Sequence, residues 1–404
     1  MNSRIKYVVV TTSTCLMLLL VLGNVLGKSA STDRPYPQLG VYTEVLHRIK
    51  SEYVEEPDMK SVTLGALNGL LESVDPFASY LNADQYKDYL KNKDAHKASV
   101  GLVLAKKFGF VGIVGVTPGS PAAKAGLATN DMLETINGVA TRDMPLAYAK
   151  LLLEGDPGTA VELTVVRVRR PEPQKIKLTR ANIVYPAVIG RMLADNVGYI
   201  VPATLAPGKV QETAEAIQSL QKQGAKKLIL DLRNCAIGTP QDGITLANLF
   251  LAKGEIAYLQ GQKVPRQDFE AEASKDVTSL PLVVITNRGT ADGAEIAAGA
   301  LLDDKRATLV GERTYGDASL RKAITMDDGG AIILSVAKYY SPDGKAIQDV
   351  GVTPDTLMSE PEAQMELDEN GEPVAENPDQ PERKQQEDPL LKKAIEIAGQ
   401  KTEA

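Results

Sequence analysis

The strongest constraint on the fold is the alternation of apolar strands and helices between residues 185 and 357. Residues 227–232 and 282–286 are short runs rich in Leu, Ile and Val, the pattern of strands buried on both faces. Helical patterns of about a dozen residues surround them, at 210–224, 243–251 and 293–302. This alternation predicts an α/β core. It continues through a strand at 308–311 and closes in a hairpin-rich segment from residue 331.

Residues 97–180 change to a pattern dominated by strands. Short apolar runs at 112–116 and 161–168 are bounded by Gly and Pro. Between them, a short capped helix ends at Gly126, and a strand is closed by the turn residues Asn137 and Gly138. This order of elements is close to the signature of a PDZ domain, so a PDZ domain is predicted over 97–180.

Two amphipathic helices are predicted before this region. Apolar residues recur at helical spacing in 42–53 and again in 62–74, and Asn82 begins a further helix after an Asp-Pro turn. These patterns predict a small helical subdomain over 36–95. Apolar stripes on short helices need a partner, so the subdomain is also a candidate surface for homo-oligomer formation.

The two ends of the chain differ from its body. Arg4 and Lys6 precede an apolar stretch that resembles an export signal, so residues 1–27 are predicted to be a signal peptide or a membrane anchor. Either predicts an extracytoplasmic protein, periplasmic or in the cell envelope, anchored to the inner membrane if the segment is uncleaved. Residues 358–388 are acidic and contain proline, which predicts a disordered linker before a short helix at 389–399.

Composition excludes several classes of function. A formal net charge of -7 argues against nucleic acid as a partner. The chain has only two histidines, which weakens any histidine-based triad or zinc site. Its two cysteines, Cys15 and Cys235, lie far apart, so no disulfide framework is implied, and Cys235 is interpreted as a small core residue. No metal and no cofactor are expected.

Several motifs occur in the same order as in the carboxyl-terminal processing peptidases, also called tail-specific proteases. Besides the PDZ run, they are LESVDPFASYL at 71–81, LILDLRN at 228–234, NRGTA at 287–291, EIAAGAL at 295–301, GERTYG at 311–316, AKYYSPDG at 337–344 and GVTPD at 351–355. The chain therefore resembles that family from residue 42 to residue 355. The resemblance implies a multidomain α+β and α/β fold with a helical N-terminal subdomain, an inserted PDZ β-barrel-like domain and an α/β peptidase-like core.

The resemblance also locates the positions of a serine-lysine catalytic dyad. In active members a serine in the turn before a helix is the nucleophile, and here that position is Asp292. A neighbouring serine of the family is Ala294, whereas Glu295 is retained. The family's lysine base corresponds to Asp317, and the glutamine that supports the lysine corresponds to Arg321. The resemblance thus implies that no catalytic residue of the dyad is intact.

The loop that supplies oxyanion donors is altered as well. Its candidate residues, which replace the Pro-Gly-Gly of the family, are Cys235, Ala236, Ile237 and Gly238. The bulky Ile237 limits the backbone conformations available there.

A hydroxyl attacks a peptide carbonyl only when a base removes its proton. Carboxylates at both dyad positions therefore predict a peptidase-like protein that does not cleave, a pseudo-protease. The alternative is an active serine-type endopeptidase that cleaves near protein C-termini with non-standard residues. For that alternative, Thr290 or Ser319 would be the nucleophile and Lys322 the base.

A third hypothesis uses Asp292 and Asp317 themselves, as an acid pair or a cation site. Two like charges about 4 Å apart at intermediate dielectric would cost about 4 kcal/mol unless neutralised. Arg321 offers the simpler neutralisation, which favours an Asp-Arg cluster over a metal.

The PDZ region supplies the predicted binding activity. Its candidate peptide-binding residues are Val100, Gly101, Leu102 and Val103. Their backbone amides would hold a terminal carboxylate, and the helix after Asp143 would form the other wall of the groove. The expected partners are polypeptide C-termini or unfolded envelope proteins.

Overall fold

The computed structural model describes residues 38–92, 98–107, 109–142, 144–167, 170–359 and 388–400. The predicted signal or anchor segment lies outside these residues, as does the predicted acidic linker except for residues 358, 359 and 388. None of the helices within the described ranges has the length and hydrophobicity that a membrane span requires.

The chain divides after Leu64 into two units. The first contains α1 (Gln38–Glu52) and the start of α2 (Met59–Glu72), which confirms the two helices expected from the sequence. Leu39, Val41 and Val45 on α1 are 56%, 65% and 51% exposed. Self-association through this region stays a prediction.

In the second unit, the Asp75 side chain holds the turn that follows α2. The Asp75 carboxylate accepts hydrogen bonds from the amides of Phe77 (2.9 Å) and Ser335 (3.0 Å). Strand β1 (Ser79–Leu81) and helix α3 (Ala83–Asn92) follow.

A six-stranded antiparallel sheet with two short helices forms the region predicted to be a PDZ domain. Its elements are β2 (Leu102–Lys107), β3 (Phe110–Val116), α4 (Pro121–Lys124), β4 (Met132–Ile136), β5 (Val139–Ala140), α5 (Leu146–Leu153), β6 (Ala160–Arg167) and β7 (Arg170–Thr179). The strand order is β2-β3-β4-β6-β7, and β5 pairs with β4. In the described residues β2 is therefore an edge strand. Helix α5 packs beside it and buries Leu146, Ala149 and Leu153 in the core of this domain.

The rest of the second unit is an α/β core with two sheets. Its elements are β8 (Ile189–Met192), β9 (Val197–Val201), α6 (Lys209–Lys222), β10 (Lys227–Asp231), α7 (Pro240–Asn248), β11 (Glu255–Gln260), β12 (Gln267–Glu270), β13 (Leu282–Thr286), α8 (Gly293–Asp303), β14 (Ala307–Gly311), β15 (Ser319–Thr325), β16 (Ala331–Tyr340), β17 (Thr356–Leu357) and α9 (Pro389–Gln400). The order of the larger sheet is β17-β14-β13-β10-β9-β8, parallel except for β8. The predicted fold class is confirmed. Strands β8, β9, β11 and β12 were not predicted.

The larger sheet is covered by helices on both faces. Its chain path moves from β9 to β10, β13 and β14 in one direction, so right-handed crossovers place α6, α7 and α8 on the same face. Leu228, Leu230 and Val284 pack against those helices. Ile229 and Val283, which point the other way, pack against α9.

Strand β16 organises the second sheet. One edge of β16 pairs with β1 and β11, and the other pairs with β15 along its whole length. This pairing brings the segment before β15 close to the end of β13, where the candidate site lies.

Helices α7 and α8 approach each other through glycines. A Cβ atom built on Gly243 would lie 1.9 Å from the Gly293 carbonyl oxygen, so no larger residue fits without moving a backbone. This contact seats the start of α8 against α7.

We expect Gly243→Ala to lower the free energy of unfolding in urea by about 2 to 3 kcal/mol, because the added methyl group overpacks the contact. Gly69→Ala is the matched control, since that helical glycine has no atom within 4 Å of a built Cβ. The control should be stabilising by up to about 1 kcal/mol through helix propensity. Equal effects of the two substitutions would contradict the close contact.

Candidate active site

Asp292 occupies a strained turn between a strand and a helix. It lies between β13 and α8 with φ of 54° and ψ of -126°, a region that non-glycine residues rarely adopt. A strained strand-to-helix turn of this kind presents a nucleophile at the end of a sheet in many hydrolases. Here it presents a carboxylate.

Hydrogen bonds to the loop after β10 hold this turn in place. The Asn287 side chain accepts from the Asn234 amide (2.9 Å) and donates to the Asn234 side-chain oxygen (3.2 Å). The Ala291 amide donates to the Cys235 carbonyl at 3.1 Å. The turn and the oxyanion-loop candidates are therefore one connected structure.

Glu295 connects the turn to the segment that carries Asp317. Its carboxylate is fully buried and accepts from the amides of Asp292 (3.2 Å), Gly316 (2.7 Å) and Asp317 (2.8 Å). The Thr314 hydroxyl is a fourth donor. Burial raises the pKa of Glu295 to about 8, while these donors favour the ionised form. Glu295 thus sets the spacing between Asp292 and Asp317.

Asp317 is neutralised by Arg321, as the sequence predicted. The two side chains form an ion pair four residues apart, and the Arg321 guanidinium lies 4.3 Å from the centre of the Phe77 ring. Cation-π contact and the ion pair together hold the guanidinium in place. The described residues contain no cluster of three or more side chains suited to a metal.

Asp292 has no ion-pair partner among the described residues. Burial raises its pKa to about 7, and the negative charge of Asp317 adds to the shift, while Arg321 and Lys150 oppose it. Lys150 comes from α5 of the PDZ-like domain. Burial lowers the pKa of its amine, and the charges of Asp317 and Asp292 counter that effect.

The oxyanion-loop candidates are placed between the two domains. Cys235 is fully buried, which raises its thiol pKa to about 12 and confirms its interpretation as a core residue. Ala236 packs against the PDZ-like domain, since its Cβ would be 2.9 Å from a Cβ on Gly115. The Ile237 carbonyl accepts from the Leu205 amide at 2.6 Å. In the described residues neither Ala236 nor Ile237 has positive φ.

The substitute nucleophiles considered from sequence have other contacts. Thr290 is fully buried, and its hydroxyl donates to the Leu232 carbonyl (2.8 Å) and accepts from the Asn287 amide (3.1 Å). The Ser319 hydroxyl lies 2.9 Å from that of Ser335. Lys322 is exposed and three residues along β15, on the opposite face of the strand from Ser319.

The predicted peptide-binding residues lie at the edge strand β2. The Val100 carbonyl accepts from the Ala122 amide (3.0 Å), and the Gly101 amide donates to the Ser99 hydroxyl (3.1 Å). Leu102 and Val103 pair with β3 and leave their other edge unpaired in the described residues. The carboxylate-clamp assignment stays a prediction.

A cavity of about 670 Å³ lies beside the Asp317 segment. Phe77, Ile113, Met132 and Tyr315 are among its lining residues, whereas neither Asp292 nor Asp317 is.

Sequence reasoning does not predict the role of Glu295. The sequence marks Glu295 only as a retained family residue, whereas four donors facing its buried carboxylate make it the centre of the site. Lys150 is exposed, as a single lysine in the apolar helix sequence LAYAKLLL indicates.

Comparisons with known proteins agree on one relationship. A family model described as peptidase family S41 matches residues 196–358, and a PDZ domain model matches 112–167. The chain is 34% identical over 355 residues to carboxy-terminal processing protease CtpA of Bacillus subtilis, covering 86% of this chain and 74% of that protein. It is 31% identical over 347 residues to the carboxy-terminal-processing protease of Bartonella bacilliformis, covering 83% and 79%. A solved photosystem II D1 C-terminal processing protease superposes with a TM-score of 0.64 at 25% identity, covering 80% of this chain and 94% of that one.

The raised pKa of Asp292 predicts a pH-dependent stability difference. A carboxyl group of this kind stabilises the fold below its unfolded pKa, and that contribution is lost as pH rises through the folded pKa of about 7. We expect the stability of Asp292→Asn relative to the unmodified protein to grow by about 2 kcal/mol from pH 5 to pH 8. Urea unfolding at both pH values measures this difference in the free energy of unfolding. Asp327→Asn, at an exposed turn position, is the control. A difference for Asp292→Asn that does not depend on pH would contradict the raised pKa of Asp292.

Proposed function

The chain belongs to the carboxyl-terminal processing proteases of peptidase family S41 and carries their PDZ domain, and from that membership we propose that it binds polypeptide C-termini without cleaving them. The observation that carries the proposal is the pair of carboxylates at the dyad positions, one of them held by Arg321. The two relatives named above are called proteases, and the loss of cleavage is proposed for this chain.

The chemistry of the site supports this proposal. Asp292 stands on a strained turn suited to a nucleophile, but its side chain has no hydroxyl that a base could activate. Asp317 cannot act as a neutral amine base, and its charge is engaged by Arg321. Loss of both members of such a unit costs several orders of magnitude in rate.

The PDZ domain supports the binding half of the proposal. Its strand β2 has an unpaired edge among the described residues, and α5 lies beside that edge. A peptide can add to such an edge as a further strand, with its terminal carboxylate at the loop of residues 100–103. We also propose that the protein acts outside the cytoplasm, because Arg4 and Lys6 precede an apolar N-terminal stretch.

We expect the unmodified protein to leave a disordered C-terminal substrate uncleaved and to escape labelling by a fluorophosphonate probe. Asp292→Ser alone lacks a base, and Asp317→Lys alone places an ammonium beside Asp292, so both should remain inactive. Combining them with Arg321→Gln removes the competing charge and should give probe labelling and slow cleavage, because the turn and Glu295 clamp are present.

Mass spectrometry of the substrate and gel detection of the probe provide the readouts. Efficient cleavage by the unmodified protein, abolished by Thr290→Ala or Ser319→Ala in a folded variant, would establish the alternative of an active peptidase with non-standard residues.

We expect peptides with a free C-terminal carboxylate to bind at least about tenfold more tightly than their amidated forms, because amidation removes the charge that the loop amides hold. Isothermal titration calorimetry with the full chain measures both affinities, with a scrambled peptide as the reference. Equal binding of the free acid and the amide would show that residues 100–103 are not a carboxylate clamp.

A further inference from the structure

One amide of the loop at residues 100–103 already has a hydrogen-bond partner from the chain itself. The Gly101 amide donates to the Ser99 hydroxyl at 3.1 Å. Ser99 is partly exposed, and within the described residues this is the hydrogen bond that its side chain makes. A serine side chain often satisfies the amide two residues further along the chain in this way.

The backbone around this hydrogen bond is fixed on both sides. Ser99 pairs with Ala181, each amide donating to the other residue's carbonyl at 3.0 and 2.9 Å. Gly101 has a left-handed φ of 81°, and its carbonyl accepts from the Thr117 amide at 2.9 Å. A Cβ built on Gly101 would lie 2.3 Å from the Ser120 Cβ, so the loop packs directly against Ser120. Rotation of the Ser99 side chain about χ1 is therefore the simplest movement that frees the Gly101 amide.

The Ser99 hydroxyl and a ligand carboxylate need the same donor. A clamp of this kind holds a terminal carboxylate through the backbone amides of the loop, and the Gly101 amide is one of them. A single N–H cannot donate at full strength to two oxygens, so the hydroxyl and the carboxylate compete for it.

The outcome of this competition depends on the charge of the ligand. An ionised carboxylate accepts hydrogen bonds about twice as strong as those of a neutral group, so it can displace the hydroxyl. A neutral carboxamide exchanges one neutral hydrogen bond for another and gains little. The hydroxyl therefore lowers the affinity for a free C-terminus more than the affinity for an amidated one.

We propose that Ser99 is an internal competitor of the peptide C-terminus: its hydroxyl occupies the Gly101 amide in the unliganded protein and rotates away when a terminal carboxylate binds. This inference rests on the proposed function, since it concerns the regulation of the same groove. The contact is autoinhibitory, because it limits the affinity for C-termini while it satisfies the amide of the empty loop.

Isothermal titration calorimetry with the full chain tests the proposal. The probe is the tightest ligand found in an array of random-sequence peptides with free C-termini, together with its amidated form. We expect Ser99→Ala to bind the free acid about threefold to tenfold more tightly than the unmodified protein, because one neutral hydrogen bond no longer has to be broken. The amidated form should gain less than the free acid.

Two further substitutions separate the hydroxyl from the rest of the side chain. Ser99→Thr keeps the hydroxyl and should bind both peptides as the unmodified protein does. Ser99→Asp places a charged oxygen against the Gly101 amide and repels a terminal carboxylate, so the free acid should bind at least about tenfold more weakly. Ser219→Ala, an exposed serine on α6 of the α/β core, is the control and should leave both affinities unchanged. Urea unfolding identifies the variants that remain folded.

Weaker or unchanged binding of the free acid by a folded Ser99→Ala variant would overturn the proposal, because the hydroxyl would then assist the ligand or take no part. Equal gains by the free acid and the amide would overturn it as well. Either result leaves the proposed function intact as long as the protein prefers the free acid. If neither the unmodified protein nor Ser99→Ala prefers the free acid, or if the array contains no ligand, the carboxylate clamp itself is wrong and both proposals fail.

Discussion

One buried carboxylate holds the candidate site together. Glu295 has no solvent exposure and accepts hydrogen bonds from Asp292, Thr314, Gly316 and Asp317. The last three residues come from a different segment of the chain. A buried carboxylate is costly unless donors surround it, so these donors must stay in place for the fold to be stable. Glu295 thereby holds the backbone at Asp292 and Asp317 in place through their amides, independently of the side chains at these two positions.

Asp292 and Asp317 determine the electrostatics of the site, whereas Glu295 determines its backbone geometry. Asp317 has a direct partner in Arg321, whose guanidinium also contacts the Phe77 ring. Asp292 has no such partner in the described residues, and burial together with the charge of Asp317 raises its pKa to about 7. Positive charge reaches it from Lys150 across the domain boundary. In this chain the site is therefore a cluster of interacting charges.

Sequence patterns predicted the helices and strands whose apolar residues recur at regular spacing and are buried. Strands β10 and β13 are buried at every residue, and the helices expected at 210–224 and 293–302 are present as α6 and α8 with ends shifted by at most two residues. Strands β8 and β12 were not predicted because they lie at sheet edges and most of their residues are exposed, so they lack an apolar run.

The sequence by itself determined the family, the α/β core and the PDZ domain, and it predicted aspartates at both dyad positions, because these depend on local periodicity and on the identity of single residues. Only the tertiary structure decided which distant groups meet. The charges of Lys150 in the PDZ domain and Asp292 in the α/β core interact. The amides of Gly316 and Asp317 donate hydrogen bonds to Glu295. The tertiary structure also packs α9 against the face of the larger sheet that lies opposite α6, α7 and α8. Next to α9, Asp388 forms an ion pair with Arg233 at 2.6 Å. The physical reason is that such contacts join residues far apart in the chain, and packing, not local pattern, sets their distances.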